Sequence, residues 1–236
     1  CMNTFSLFVG VSIILGLSWA VSGLKDKNAY RLIDSSLGIL LGGLVGGRVG
    51  YVAVHWSYYQ AHSLEIPQVW AGGLSAVGAL WGGFWVWLLY AFLKIQAPAL
   101  LADQFFPVLM LIVVAVWLGG WVEGVAYGQL VNEAWFGLPA RDEWGVFSRR
   151  FPTQLIGATL TVGWFWFLET RRRRWLPGWL AAWGLLGVSA VYTGMSFLRA
   201  DPARLWLGLR LETWGGFSLL ILALFCMILR WRVKKP

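Results

Sequence analysis

Seven apolar runs of about twenty residues each constrain this chain more than any other feature of it. They lie near residues 4–24, 33–56, 72–93, 105–127, 153–170, 177–198 and 207–229. At a helical rise of about 1.5 Å per residue, such a run approaches the roughly 30 Å hydrocarbon core of a bilayer. Composition agrees: 58% of the 236 residues are hydrophobic and only 13% are charged, about half the charged fraction of an ordinary soluble domain. The expected fold class is an all-α integral membrane protein with seven transmembrane helices. Residues 1–236 read as a single polytopic membrane domain.

Basic residues alternate with the runs. Lys25, Lys27 and Arg31 follow the first, Lys94 the third, Arg171 to Arg174 the fifth, and Arg230, Arg232, Lys234 and Lys235 the seventh. The positive-inside rule then puts the N-terminus outside and the C-terminus in the cytoplasm. Residues 57–71, aromatic and polar by turns, suit an external interfacial arm. Residues 128–152 hold Glu133, Arg141, Asp142, Glu143, Arg149 and Arg150 and suit a small external cap. The net charge of +8 is accounted for by basic edges facing anionic lipid and calls for no nucleic-acid partner. Cys226 reads as a small buried apolar residue. Cys1 has two readings: a lipidated mature N-terminus, or an added residue ahead of a start at Met2.

Small and large residues are both over-used. Gly38, Gly42, Gly46 and Gly50 recur every four residues in the second run, with Gly78 and Gly82 in the third and Gly120, Gly124 and Gly128 in the fourth. That spacing predicts smooth helix faces that neighbours approach closely. Among the 18 tryptophans, those near run ends suit interfacial anchoring. Deeper pairs such as Trp81 with Trp85, and Trp117 with Trp121, face lipid, the protein interior or a neighbouring subunit.

Few polar groups lie within the runs. Arg48 is costly there unless paired. It reads either as an ion pair with Glu123 or, with Arg199 and Arg210, as a clamp on a lipid phosphate. Gln154 holds an ester oxygen or caps a helix. His55 and His62 fall at the outer interface, without a Cys or carboxylate at metal-ligand spacing. No metal site, phosphate loop, dinucleotide fingerprint or haem motif stands out, so the expected cofactor is none beyond a bound phospholipid.

Four stretches carry a resemblance. Gly46-Gly47-Arg48-Val49-Gly50-Tyr51, Gly72-Gly73-Leu74-Ser75, Arg150-Phe151-Pro152-Thr153-Gln154-Leu155, and Phe197-Leu198-Arg199 with Asp201-Pro202 resemble, in order, motifs of the prolipoprotein diacylglyceryl transferases. The resemblance implies seven spans in a bacterial cytoplasmic membrane. It also implies transfer of diacylglycerol from phosphatidylglycerol to a lipobox cysteine thiol. Such chemistry needs a base for the thiol and donors for the departing phosphate. The chain departs from the family's polar set at nearly every position: Val77 stands where a His is expected and Phe5 where a Tyr is. Trp117 and Tyr192 stand at two Arg positions, Gly120 and Glu123 at two Asn positions, and Val125 and Ser196 at two Glu positions.

The residue pattern therefore reads as the transferase scaffold emptied of catalytic residues: a non-catalytic accessory subunit of a larger membrane assembly. A phospholipid site is expected at Arg48, Gly72, Gly73, Ser75, Glu123, Gln154 and Arg199. Its expected partners are membrane lipid and other membrane-protein subunits. Two alternatives stand beside it: an active transferase with a rebuilt site, using Glu123, His55 or His62 as base, and a stand-alone lipid-binding protein.

Overall fold

The computed structural model describes residues 4–22, 24–94, 97–131 and 136–233. Cys1, with its lipidation reading, and Glu133 of the cap lie outside the described residues. In chain order the helices are α1 (Thr4–Val21), α2 (Asp26–Val54), the single turn α3 (Trp56–Tyr59), α4 (Ala76–Phe92), α5 (Pro98–Glu123), α6 (Thr153–Glu169), α7 (Trp179–Ser196) and α8 (Leu211–Val233). Each apolar run thus contains one long helix. Among the described residues, four helices are long and apolar enough to cross a membrane: Thr4–Val21, Asp26–Val54, Pro98–Glu123 and Leu211–Trp231. Of the other three, α4 and α6 have 17 residues and α7 has 18.

Among the described residues, short 3-10 turns at Ser63–Glu65, Val69–Ala71 and Arg172–Arg174 and two antiparallel hairpins complete the secondary structure. Strands β1 (Leu138–Arg141) and β2 (Phe147–Arg150) pair Leu138 with Arg150 and Arg141 with Phe147, inside the expected cap segment. Strands β3 (Leu205–Trp206) and β4 (Leu209–Arg210) turn over Leu207 and Gly208 just before α8. Hydropathy alone had merged part of this second hairpin with the last apolar run.

The chain divides into two compact units, Gly23–Ala102 on the one hand and Cys1–Ser22 with Asp103–Pro236 on the other. The smaller is built on the pairing of α2 with α4. Gly42, Gly46 and Gly50 of α2 face Gly78 and Gly82 of α4 so closely that backbone meets backbone. A Cβ added at Gly46 would lie 2.6 Å from the Gly82 Cα, and one at Gly50 3.1 Å from the Gly78 Cα. In an apolar solvent, helices associate through such close packing rather than by escaping water. The expected glycine ridge is therefore real in α2 and α4.

The ridge expected at Gly120, Gly124 and Gly128 is not. Helix α5 ends at Glu123, Gly124 takes φ +69°, and the Val125 N–H closes back on the Gly120 carbonyl. A left-handed glycine at this point stops a helix and satisfies one of its last carbonyls. Gly128 lies beyond the helix, bridged to Arg199.

In the larger unit α7 packs on α8 and on α6, and large rings sit on glycines. The Trp117 indole covers Gly157, and Phe106 covers Gly184. Met110, Leu168, Leu180 and Leu219 complete a core that is almost wholly inaccessible.

Replacing Gly46 by Leu should separate α2 from α4, since overpacking a tight contact costs about 1–3 kcal/mol or more. The midpoint of thermal unfolding in detergent should fall clearly. Gly10→Leu is the control: a Cβ at Gly10 meets nothing within 4 Å, and its midpoint should stay put.

Candidate functional site

The seven residues expected to bind lipid fall into two groups, one in each unit. In the smaller unit Arg48 is buried, and its guanidinium is held by carbonyl oxygens. Nε donates to Ile66 at 2.7 Å, Nη1 to Gly72 at 2.7 Å and Gly73 at 3.2 Å, and Nη2 to Glu65 at 2.6 Å. The Tyr59 ring lies 5.2 Å away on the same cation. Gly72 and Gly73 have φ of +86° and +73°, and a Cβ at Gly73 would collide with the Tyr51 ring. That left-handed turn is what aims both carbonyls at Arg48. Ser75 then caps α4 by accepting from the Gly78 N–H at 3.2 Å, while its own N–H donates to Gly47 at 2.9 Å. The Gly-Gly-Leu-Ser segment is a device that saturates a buried cation and starts a helix.

The other group lies where α5 ends and α6 begins. Glu123 is half-buried, and its Oε1 accepts from the Phe5 N–H at 3.4 Å. Gln154 is buried and donates to the Val125 carbonyl at 2.9 Å, and the neighbouring Thr153 hydroxyl donates to the Ala126 carbonyl at 2.8 Å. Together they hold the turn that leaves α5. That turn continues into a ladder with the segment beyond α7: the Ala200 N–H donates to Tyr127 at 2.9 Å and the Gln129 N–H to Leu198 at 3.2 Å.

Arg199 sits on this ladder and grips Asp201 with two bonds, Nε to Oδ1 at 2.9 Å and Nη2 to Oδ2 at 2.6 Å. Arg210 adds an ion pair to Asp201 at 3.0 Å and donates to the Asp201 carbonyl at 2.8 Å. Burial works against the charge of Arg199, but the Asp201 hydrogen bonds and charge outweigh it, so its pKa is raised and it stays a cation. Nearby, Arg150 pairs with Asp142 at 3.2 Å and lies 4.3 Å over the Tyr127 ring. Arg210 Nε is buried without a hydrogen-bond partner among the described residues, and the Glu212 carboxylate is 3.8 Å from it, beyond hydrogen-bond reach.

Several of the positions where the resemblance expects polar chemistry are packed, although Val125 is exposed. Val77 is in the first turn of α4. Trp117 is buried in one apolar cluster with Ala158 and Met195, and Tyr192 packs against that same cluster. Ser196 is fully buried and shares a 2.9 Å hydrogen bond with Thr213. His55 and His62 each stack on a tyrosine, Tyr51 and Tyr58, with Nδ1 on the carbonyl of that residue at 3.0 and 3.1 Å. Among the described residues, no group of three His, Cys, Asp or Glu side chains is placed to hold a metal.

One half-buried acid escaped the sequence reading. The Asp103 carboxylate accepts from the Gly178 N–H at 2.6 Å and the Ala181 N–H at 2.8 Å, capping α7 from another helix. Nothing local to Asp103 announces partners so far along the chain.

The comparisons bear on all of this at once. Residues 2–229 match the family model for prolipoprotein diacylglyceryl transferase. The chain belongs to that family. Among its relatives is the phosphatidylglycerol-prolipoprotein diacylglyceryl transferase of Streptococcus equi subsp. zooepidemicus (strain H70), 27% identical over 97% of this chain and 90% of that protein. The enzyme of the same name from Streptococcus uberis (strain ATCC BAA-854 / 0140J) is 26% identical over the same shares. That from Streptococcus pyogenes serotype M1 is 29% identical over 81% of this chain and 75% of its own length. With its apolar helices, the diacylglyceryl transferase family member described here is a multi-pass protein of the bacterial cytoplasmic membrane.

Two substitutions test the site's construction. Arg48→Lys replaces a planar fork of five donors by a point charge with three, so hydrogen exchange should speed up across residues 63–75 and stay unchanged in α2. Asp201→Asn leaves two buried guanidiniums without their shared anion, which should cost about 3–5 kcal/mol, read as a fall in the thermal midpoint.

Proposed function

We propose that this protein moves the diacylglyceryl group of phosphatidylglycerol onto a prolipoprotein cysteine. All seven long helices cross the membrane in this reading, with the N-terminus outside. The observation that carries it is the match of nearly the whole chain to one family, with relatives named for this single activity across 90% of their length. Supporting it, the end of the larger unit where α5 stops keeps the Glu123 carboxylate, with Arg199 and Arg210 on the segment beyond α7. Glu123 spends one oxygen on the Phe5 N–H, and its second has no partner among the described residues. Arg210 keeps a buried Nε–H without an acceptor among the described residues.

The reaction then runs as follows. The cysteine thiol gives its proton to Glu123, and the thiolate attacks the diacylglyceryl carbon that bears the phosphate oxygen. The new C–S bond forms as the C–O bond breaks, and glycerol phosphate departs with the bonding electrons. Arg199 and Arg210 stabilise its developing charge, and the proton on Glu123 passes to it. A positioned acid–base group contributes roughly 10²- to 10⁴-fold.

A second reading has its own observation. Trp117 and Tyr192, at the two positions where the family pattern has arginines, meet around one apolar cluster, and Val77 can carry no proton. This packing favours a non-catalytic accessory subunit that retains a phospholipid and assembles with other membrane proteins. The comparisons favour the first reading, and the packed cluster favours the second.

Turnover of phosphatidylglycerol with a lipobox peptide separates them. The transfer reading expects product from the purified protein and at least a hundredfold loss in Glu123→Gln. A correctly folded protein without turnover, found by native mass spectrometry in fixed ratio with other membrane subunits, would establish the accessory role instead.

A further inference from the structure

Between α6 and α7 lies an open groove of about 500 Å³, walled almost entirely by apolar atoms. Leu160, Gly163, Trp164, Phe167, Gly187 and Val191 are among its lining residues. Its form is built in. Gly187 lies under the Trp164 ring, and the Trp164 Nε1–H donates to the Trp183 carbonyl at 2.9 Å, so that wall is fixed. Gly163 opens it: a Cβ there would meet nothing within 4 Å. From Phe167 to Thr159 the groove follows about 12 Å of helix axis.

The turn joining the same two helices carries Arg171, Arg172, Arg173 and Arg174. Phe167 belongs to both features. It lines the groove, its ring lies 4.0 Å from the Arg171 guanidinium carbon, and its carbonyl accepts from Arg171 Nη1 at 3.1 Å. Arg172 is committed to Glu169 at 2.9 Å and to the Asp103 carbonyl at 3.3 Å. Arg173 and Arg174 are exposed, and neither has a carboxylate partner among the described residues. The apolar groove therefore ends at Phe167, on which the Arg171 guanidinium lies, at a turn whose Arg173 and Arg174 have no carboxylate partner among the described residues.

The geometry points to a seat for one anionic glycerophospholipid on the α6–α7 hairpin, with an acyl chain along Leu160, Gly163 and Val191 and its phosphodiester on Arg171 and Arg174. Charge complementarity chooses this occupant over a neutral lipid or a partner helix. Basic groups at a membrane surface favour anionic headgroups by about fivefold each. The seat is independent of whether the protein transfers diacylglycerol, because none of its residues takes part in that site.

The test uses the whole protein in mild detergent, with phosphatidylglycerol or phosphatidylcholine of matched chains, each carrying a photoactivatable acyl group. Native mass spectrometry counts retained lipids and peptide mapping locates the label. Phosphatidylglycerol should label peptides containing Leu160 and Val191, severalfold more than phosphatidylcholine does. The double change Arg171→Gln, Arg174→Gln should remove that preference. Gly163→Leu, which fills open space, should lower the lipid count by one for either headgroup without changing the thermal midpoint. Equal labelling by the two lipids overturns the proposal. So does wild-type labelling in Gly163→Leu, or a co-purifying polypeptide cross-linked in the groove in place of lipid.

Discussion

A charge set in apolar surroundings persists only where hydrogen bonds or opposite charges saturate it, and that requirement organises both units. In the smaller one, the Arg48 guanidinium needs acceptors that helices cannot supply, because helical carbonyls are already engaged. The segment from Glu65 to Gly73 supplies them instead, and its short turns are ordered around that one cation. In the larger unit two carboxylates do the corresponding work. Asp103 holds the start of α7 through two backbone N–H groups, and Asp201 holds two arginines beyond its other end. Each buried charge thus fixes a piece of backbone that has little regular structure to fix it.

The same logic applies around the Trp117 cluster. Rings fill that interior, with Trp117 over Gly157 and Tyr192 packed beside it. The buried Ser196 and Thr213 satisfy each other through one hydrogen bond. The charges lie outside that cluster: Glu123 at the end of α5, and Arg199 and Arg210 on the segment between α7 and α8. In the transfer reading, chemistry on a lipid falls among those charges, with the packed cluster as a wall.

The sequence announced the helices well, because a run of apolar residues and a helix long enough to satisfy its own backbone are one constraint seen twice. The α2–α4 contact was equally legible, since glycines four apart have little use on a lipid-facing surface. Other features hid for physical reasons. The β3–β4 hairpin is built of Leu, Trp and Leu, so hydropathy reads it as part of α8. Gly124 continues a four-residue spacing but takes a left-handed turn, a difference that composition does not record. The roles of Asp103 and Arg48 depend on backbone groups, and a backbone donor or acceptor is the same at every residue. Sequence marks such a charge as expensive without saying who answers it.

Glycine and tryptophan, 29 and 18 in number, act as two halves of one packing device. A ring needs a flat place to lie, and a glycine on the facing helix is the flattest place available. Phe106 on Gly184, Trp117 on Gly157 and Trp164 on Gly187 are three instances in the larger unit. Where both halves are present, ring and glycine lie in direct contact. Where a glycine has no ring, as at Gly163, the same arrangement leaves an opening. The positions of the unmatched glycines are therefore informative in a way their abundance is not. At Gly163 that opening lies about one helix turn from Phe167 and the arginines beyond it.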